Sequence, residues 1–200
     1  MAITNGYCTL AELKAALRIT DSTDDTLLEN AIESASRRID GYCGRFFYQT
    51  TSTAVPMFPF NEYLLVFNRD VATTTITIKI DSTGDGTYAQ TLVQGTDYVL
   101  QPRNVPIFPR PYESARMVGG NTFPLLTTPA FETVQVTTVW GWAAVPDDVN
   151  QATILLAMRQ FARLNAALGV VGFADMAITV RAVDPDVRDL LSPYRRFGIA

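Results

Sequence analysis

The sequence predicts an α+β fold: a small helical bundle with a central long helix, interrupted by a β-rich insertion of antiparallel strands and closed by a C-terminal short strand and helix. Three observations predict it. Apolar residues recur at helical spacing on both sides of the chain's middle third. Between them, from Thr50 on, Thr, Val and Pro rise and the spacing switches to strict alternation. Neither helical part can bury its apolar faces alone, so residues 1–49 plus 146–200 are expected to form one helical body and residues 50–145 a β-rich insertion.

The first helix is expected over Leu10 to Leu17. Thr9-Leu-Ala-Glu12 is a capping-box pattern, and Leu10, Leu13 and Leu17 fall on one face. Asp21-Ser-Thr-Asp-Asp25 breaks this helix and offers the next N-cap. A second helix, Asp24 to Tyr42, carries Leu27, Leu28, Ala31, Ile32, Ala35, Ile39 and Tyr42, and Gly41 and Gly44 are expected to close it. In the insertion, Thr75 to Ile80 alternates as a half-buried strand, Ser82 to Gly86 is a turn, and Thr87 to Val93 returns. Asp97 to Gln101 is a further short strand. Residues 102–130 hold six of the eleven prolines and read as loop with short strands at most. Glu132 to Trp140 is the last strand of the insertion.

Val145 to Val170 is the long helix around which the rest is organised. Pro146 suits the first turn, Asp147 and Asp148 suit the positive end of the dipole, and Gly169 is a stop. Ile154, Met158, Phe161 and Leu168 share one face, while Leu155, Leu156 and Ala162 spread round the cylinder. Only the side with Arg159, Gln160, Arg163 and Asn165 is polar. A helix so widely apolar is expected to be buried on several sides. Its expected partners are the Asp24–Tyr42 helix, the Trp140–Trp142 end of the insertion, and a neighbouring subunit. Beyond it, Ala177 to Val183 reads as a short strand, and Asp184-Pro185 opens a last helix with Val187, Leu190 and Leu191 on one side.

Composition excludes several chemistries. The 200 residues contain no histidine, which removes Ser-His-Asp and Cys-His catalysis and imidazole metal sites. Two cysteines, Cys8 and Cys43, lack CxxC spacing and cannot hold zinc within one chain. A disulfide between them is conceivable, but with no signal peptide in view two reduced thiols are expected. The net charge of −4 is small, against a DNA-gripping surface. Residues 146–200 balance six Asp with six Arg. No apolar run approaches the roughly 18 residues of a membrane span, so no membrane partner is expected.

Candidate sites are few. Asp81-Ser-Thr-Gly-Asp85-Gly86 superficially resembles a calcium loop, but the twelfth position is Leu92, and a hairpin turn is the better reading. Gly84-Asp-Gly86 lacks the third glycine of a dinucleotide fingerprint. Asp147-Asp148 and Asp184/Asp186 are better explained as helix N-terminal charge than as catalytic pairs. Arg181, Arg188, Arg195 and Arg196 with Tyr194 form the one basic, aromatic-containing cluster. It could touch phosphate, but the interleaved Asp184, Asp186 and Asp189 favour protein contact. Nothing assembles a nucleophile, a base and an oxyanion site, so no enzymatic activity, cofactor or metal is expected.

The order of these pieces resembles the head–tail connector (adaptor) proteins of tailed double-stranded DNA bacteriophages. The resemblance rests on Leu10 to Leu17, Ile39 to Phe47, Gly95 to Tyr98, Val134 to Trp142, Val145 to Ala152 and Asp184 to Arg196. It implies a structural virion protein of the neck, a homo-oligomeric ring, usually twelvefold, that docks under the portal protein. Such a ring extends the DNA channel, meets a tail-side neck or tail completion protein, and assembles in the host cytoplasm. Double-stranded DNA would pass without specific binding. Arg159, Arg163, Ile178, Val180, Arg181, Arg188, Tyr194, Arg195 and Arg196 are the expected subunit or portal interface, with Ile178 and Val180 placed to add a strand to a partner's sheet. The alternative is a tail or neck binding module whose insertion binds a receptor or carbohydrate through exposed Phe58, Phe60, Tyr63, Phe67, Tyr112 and Phe123.

Overall fold

The computed structural model describes residues 3–104, 110–127, 131–164 and 185–196. The chain divides into two compact units, Met1–Tyr48 with Val145–Ala200, and Gln49–Ala144. Four α-helices and two antiparallel sheets make up the described residues, so the fold is mixed α+β with a helical body and a β-rich insertion. The expected strand Ala177 to Val183 lies outside the described residues.

In the helical unit, α1 (Leu10–Leu17) starts on the capping box its sequence calls for. The Glu12 amide donates to Thr9 Oγ1 at 3.2 Å, and Glu12 Oε2 accepts from the Thr9 amide at 2.7 Å. α2 (Asp25–Cys43) runs straight through Gly41 and stops at Gly44, which takes the left-handed conformation (φ 65°) and donates to Asp40 O at 2.8 Å. The expected double stop was therefore half wrong. Gly41 lies on an exposed stretch with open space around it, and its extra freedom is outweighed by the continuing hydrogen-bond ladder.

α3 (Asp147–Leu164) is the long helix; its first intrahelical bond runs from the Asn150 amide to Pro146 O at 2.9 Å, so Pro146 stands just outside the first turn. The expected stop at Gly169 falls outside the described residues. α3 packs on α2, α1 and the last helix α4 (Pro185–Leu191). Its fully buried positions are small: Val149, Ala152, Thr153 and Ala157. Ile154, Leu156, Met158 and Phe161 are half-buried against a core of Leu13, Leu28, Ala31, Ile32 and Ala35. The helix is thus wrapped by three helices of its own unit, yet its large side chains remain partly exposed.

In the β unit, β1 (Thr53–Met57), β7 (Val134–Thr138), β3 (Thr77–Ile80) and β4 (Gln90–Leu92) form one sheet in the order β1-β7-β3-β4. The second sheet has β2 (Leu64–Val71), β6 (Tyr112–Met117) and β5 (Tyr98–Gln101) in the order β2-β6-β5. Val134 and Val136 stand opposite Ile80 and Ile78, so alternate residues line one buried face. The sheets meet where Tyr98 Oη donates to Ile76 O at 3.3 Å and where Phe67 packs edge-on against Trp140 at 6.2 Å between ring centroids. Trp140 is fully buried and its Nε1 donates to Thr53 O at 3.0 Å; the Trp142 Nε1 donates to the buried Asp70 carboxylate at 2.8 Å. These tryptophans anchor the interior of the β unit, as expected of an indole with one polar handle.

Candidate assembly interface

A recess of about 240 Å³ lies between α2 and α3, with Ser34, Ala35 and Arg38 on one wall and Leu156, Arg159, Gln160 and Arg163 on the other. Small residues on α2 open the recess. Arg159 and Arg163, one turn apart on α3, line the recess together with Arg38 of α2. Among the described residues, none of those lining it is acidic. Arg38 and Arg163 are exposed and Arg159 is half-buried. Arg159 and Arg163 therefore do lie together, beside an arginine from α2 that sequence spacing alone could not bring into view.

The C-terminal site residues are placed differently from a free arm. Val187 and Leu191 are buried, 3% and 2% exposed, where they face Ile39 and Tyr42 of α2 and Leu156 of α3. After the 3₁₀ turn Ser192–Tyr194, Tyr194 stacks edge-on against Phe47 at 5.8 Å, and its hydroxyl donates to Asp148 Oδ2 at 3.0 Å. The Arg195 guanidinium sits 5.3 Å from the Tyr42 ring, and the Arg196 amide donates to Cys43 O at 2.8 Å, satisfying a carbonyl at the end of α2. Arg188 and Arg195 are exposed. Cutting the chain at residue 176 would therefore strip the packing of Val187, Leu191 and Tyr194 from the body. Ile178, Val180 and Arg181 lie outside the described residues.

The C-terminal part of α2 carries a polar cluster with the N-terminal stretch of the chain. Tyr7 is buried, with its hydroxyl hydrogen-bonded to Asp40 and accepting from the Phe47 amide at 2.9 Å. Burial and the Asp40 carboxylate drive the Tyr7 pKa strongly upward, and burial raises that of Asp40. Arg37 spans Asn5 O at 2.9 Å, Asp40 Oδ2 at 3.0 Å and the Tyr7 and Tyr48 rings at 5.5 and 5.1 Å. These groups tie the N-terminal stretch to α2. Cys8 and Cys43 are free and buried, and burial pushes the Cys8 thiol up to about 12 and the Cys43 thiol up to about 11.

In the β unit the six candidate aromatics separate into two groups. Phe67 and Phe123 are buried and Tyr112 is half-buried, whereas Phe58, Phe60 and Tyr63, on the β1–β2 connection, are 54%, 61% and 49% exposed. The Asp81 loop is a turn, as expected. The Asp81 carboxylate accepts from the Thr83, Gly84 and Gly86 amides at 2.7–2.9 Å and from Thr83 Oγ1 at 2.9 Å, so its oxygens are taken by its own loop. Burial acts to raise its pKa, but these bonds prevail and hold it below the ordinary carboxylate range. Gly84 and Gly86 supply the positive φ the loop needs, 75° and 89°. Among the described residues, no group of three or more His, Cys, Asp or Glu side chains is placed to hold a metal ion.

Residues 7–79 match the family model described as phage gp6-like head-tail connector protein, the family the sequence resembles. The match spans α1, α2, β1, β2 and part of β3. Among the solved structures that share the fold are three from gene transfer agent (GTA) particles. The first is described as the neck of a native GTA particle computed with C12 symmetry (TM-score 0.61, 17% identity, covering 100% of this chain and 94% of that one). The second is the neck of an empty GTA particle computed with C6 symmetry (0.57, 18%, 100% and 95%). The third is the virion of a native gene transfer agent particle (0.57, 21%, 100% and 95%). The likeness covers the β unit as well as the helical one, so the insertion is part of the shared fold. No curated protein matches the chain.

Proposed function

We propose that this chain is a structural head–tail connector: it assembles as a ring, usually twelvefold in a particle, docks under the portal protein, extends the DNA channel and joins head to tail. The observation that carries the reading is the connector-family match over residues 7–79 together with a fold likeness to neck chains across the whole length. Each copy offers unlike surfaces to its two neighbours, the arrangement that closes into a cycle. The α2–α3 groove and the half-buried face of α3 are interface surfaces in this reading, as are Arg188, Tyr194, Arg195 and Arg196; Ile178, Val180 and Arg181, outside the described residues, are assigned to the portal contact from the sequence alone. The role is mechanical and not catalytic. With a net charge of −4 the subunit lets DNA pass without gripping it.

The test is light scattering and negative-stain imaging of the purified chain, alone and with isolated portal protein or tailless heads. Ring-shaped assemblies in either condition are the expected result; a monomer in every condition refutes the reading. A second reading, a receptor- or carbohydrate-binding module, is favoured by exposed Phe58, Phe60 and Tyr63. A glycan array on which the chain binds, and its Phe58→Ala/Phe60→Ala/Tyr63→Ala variant does not, would establish that module.

A further inference from the structure

The four-stranded sheet of the β unit ends in two open edges. Among the described residues, no strand pairs with the outer side of β1 or of β4, and Ala54, Pro56, Gln90 and Thr91 are exposed. The ladder decides which backbone groups face those edges, because alternate residues of an antiparallel strand turn their N–H and C=O to opposite sides. The Asp81 amide donates to Thr133 O at 2.8 Å, in register with Lys79 opposite Gln135. Odd-numbered residues of β3 and β7 thus bond each other. That leaves Ile78 and Ile80 to bond Leu92 and Gln90 of β4, and Val134 and Val136 to bond Met57 and Val55 of β1. Ala54 and Pro56 therefore face one open edge, and Thr91 faces the other.

These edges fit each other best in one register. Pro56 has no N–H, so Ala54 is the outward residue of β1 with both groups to offer. Beside β4, the Val93 amide is held by Asp97 Oδ2 at 2.7 Å and the Ala89 amide by Thr87 O at 3.0 Å, which leaves Thr91. The strands also run the right way. β1 pairs with β7, β7 with β3 and β3 with β4, each antiparallel, so β1 and β4 point in opposite directions. A second copy set beside the first in the same orientation brings its β4 antiparallel to β1. The sheet β2-β6-β5 lacks this property, since its outer strands β2 and β5 run the same way.

Exposed aromatics mark the same seam. Phe58 and Phe60 follow the C-terminal end of β1. Phe131, 52% exposed, lies over Gly86 in the loop before β4, 3.3 Å from where a β-carbon would stand. Antiparallel pairing sets the end of β1 beside the start of β4, so Phe58 and Phe60 of one copy arrive at Phe131 of the next. With about 200 Å² for a whole aromatic side chain, the three rings expose roughly 300 Å², a size that marks an interaction site. Pairing β1 with β1 about a twofold axis would instead send the two sets of Phe58 and Phe60 to opposite ends and leave them uncovered.

We propose that β1 of one copy pairs with β4 of the next, Ala54 opposite Thr91, with Phe58 and Phe60 closing over Phe131. The inference rests on the ring reading and supplies its seam. The two edges are different surfaces, so the contact is heterologous, and every added copy presents a free edge again until the cycle closes.

The test uses the full chain under the conditions in which the wild type assembles. Residues opposite each other at a hydrogen-bonded position have Cα atoms about 5.5 Å apart, within the span of a disulfide. Under oxidation, an Ala54→Cys/Thr91→Cys chain is expected to give a ladder of cross-linked species ending at the ring. An Ala54→Cys copy mixed with a differently tagged Thr91→Cys copy should give mixed dimers and nothing larger, and neither copy alone should cross-link. Ala54→Pro removes an N–H that the chain's own ladder does not use. In sedimentation velocity it is expected to raise the concentration needed for assembly about tenfold, with unchanged circular dichroism. If that variant misfolds, the cross-links decide. Wild-type rings that form no mixed cross-link, that a folded Ala54→Pro leaves unaffected, or that cross-link through Ala54→Cys alone overturn the seam and leave the ring reading standing. A ladder that never closes supports the seam and refutes the ring. A wild type that never assembles refutes both.

Discussion

Leu191→Ala should destabilise the helical unit by about 3 kcal/mol. Leu191 is 2% exposed and faces Ile39, Tyr42 and Leu156 across the junction of α4 with α2 and α3. Truncation to alanine removes three carbons, worth about 2.4 kcal/mol at roughly 0.8 per buried methylene. A cavity term adds to this, since the side chain lines a small open recess of about 50 Å³ that the truncation would enlarge. For a domain of ordinary stability this multiplies the unfolded fraction by roughly a hundred. Both tryptophans belong to the β unit, so the readout is the helical circular dichroism signal in a urea titration, with the midpoint shift converted through an unchanged slope. A loss below about 0.5 kcal/mol would mean that residues 185–196 are not part of the body, and the placement of Tyr194, Arg195 and Arg196 against α2 would fall with it.

Other consequences are more local. Thr9→Ala removes one side of the α1 capping box and should cost about 1 kcal/mol in the same titration, with Thr9→Asp close to neutral. Cys8 and Cys43, buried with raised pKa values, should react with a thiol reagent at pH 8 only at the rate of unfolding; prompt labelling of the native chain would contradict their burial. Asp81 has a folded pKa below its unfolded one, so its contribution is fully present above the ordinary carboxylate range and is lost as pH falls through the depressed value. The tryptophan-detected stability of the β unit should therefore fall on acidification less steeply in Asp81→Asn than in the wild type. Parallel curves would assign the acid sensitivity to other groups.

Local signals with a single physical origin were legible, and those that depend on distant partners were not. Thr9 and Glu12 satisfy each other across one turn, and α1 begins where that pair puts it. Thr77–Ile80 alternates because one face of β3 is buried, and the Asp81 turn follows from its glycines. Strand β2, by contrast, buries Leu65 and Phe67 in alternation and then shifts register before Val71, so its period breaks in the middle. Strand β6 sits at the centre of its sheet although Tyr112-Glu-Ser-Ala-Arg-Met is largely polar and follows a proline-rich stretch; only Ala115 and Met117 are buried. Its place is set by β2 and β5 on either side, not by its own composition. Site residues behave alike. Arg159 and Arg163 are neighbours by helical spacing, but Arg38 joins them only through the packing of α2 on α3. The body-bound position of Tyr194 depends on Phe47 and Asp148, both far away in sequence.

The long helix shows why apolar periodicity overstated burial. Its large residues are spread round the cylinder, which suggested burial on several sides, yet the fully buried stripe is built from Val149, Ala152, Thr153 and Ala157. Small residues let α3 approach α1 and α2 closely, and the larger ones flank the seam at partial exposure. Ala157 is the sharpest test of this. It is fully buried within the cluster of Leu13, Leu28, Ala31, Ile32 and Ala35. Ala157→Leu adds the residue an apolar helix would ordinarily welcome, so a pattern-based view predicts stabilisation. Close packing predicts overcrowding and a loss of about 1–3 kcal/mol. The sign of the urea midpoint shift separates the two: a rise would mean that α3 does not pack through its small residues, and that the partial exposure of Met158 and Phe161 has another cause.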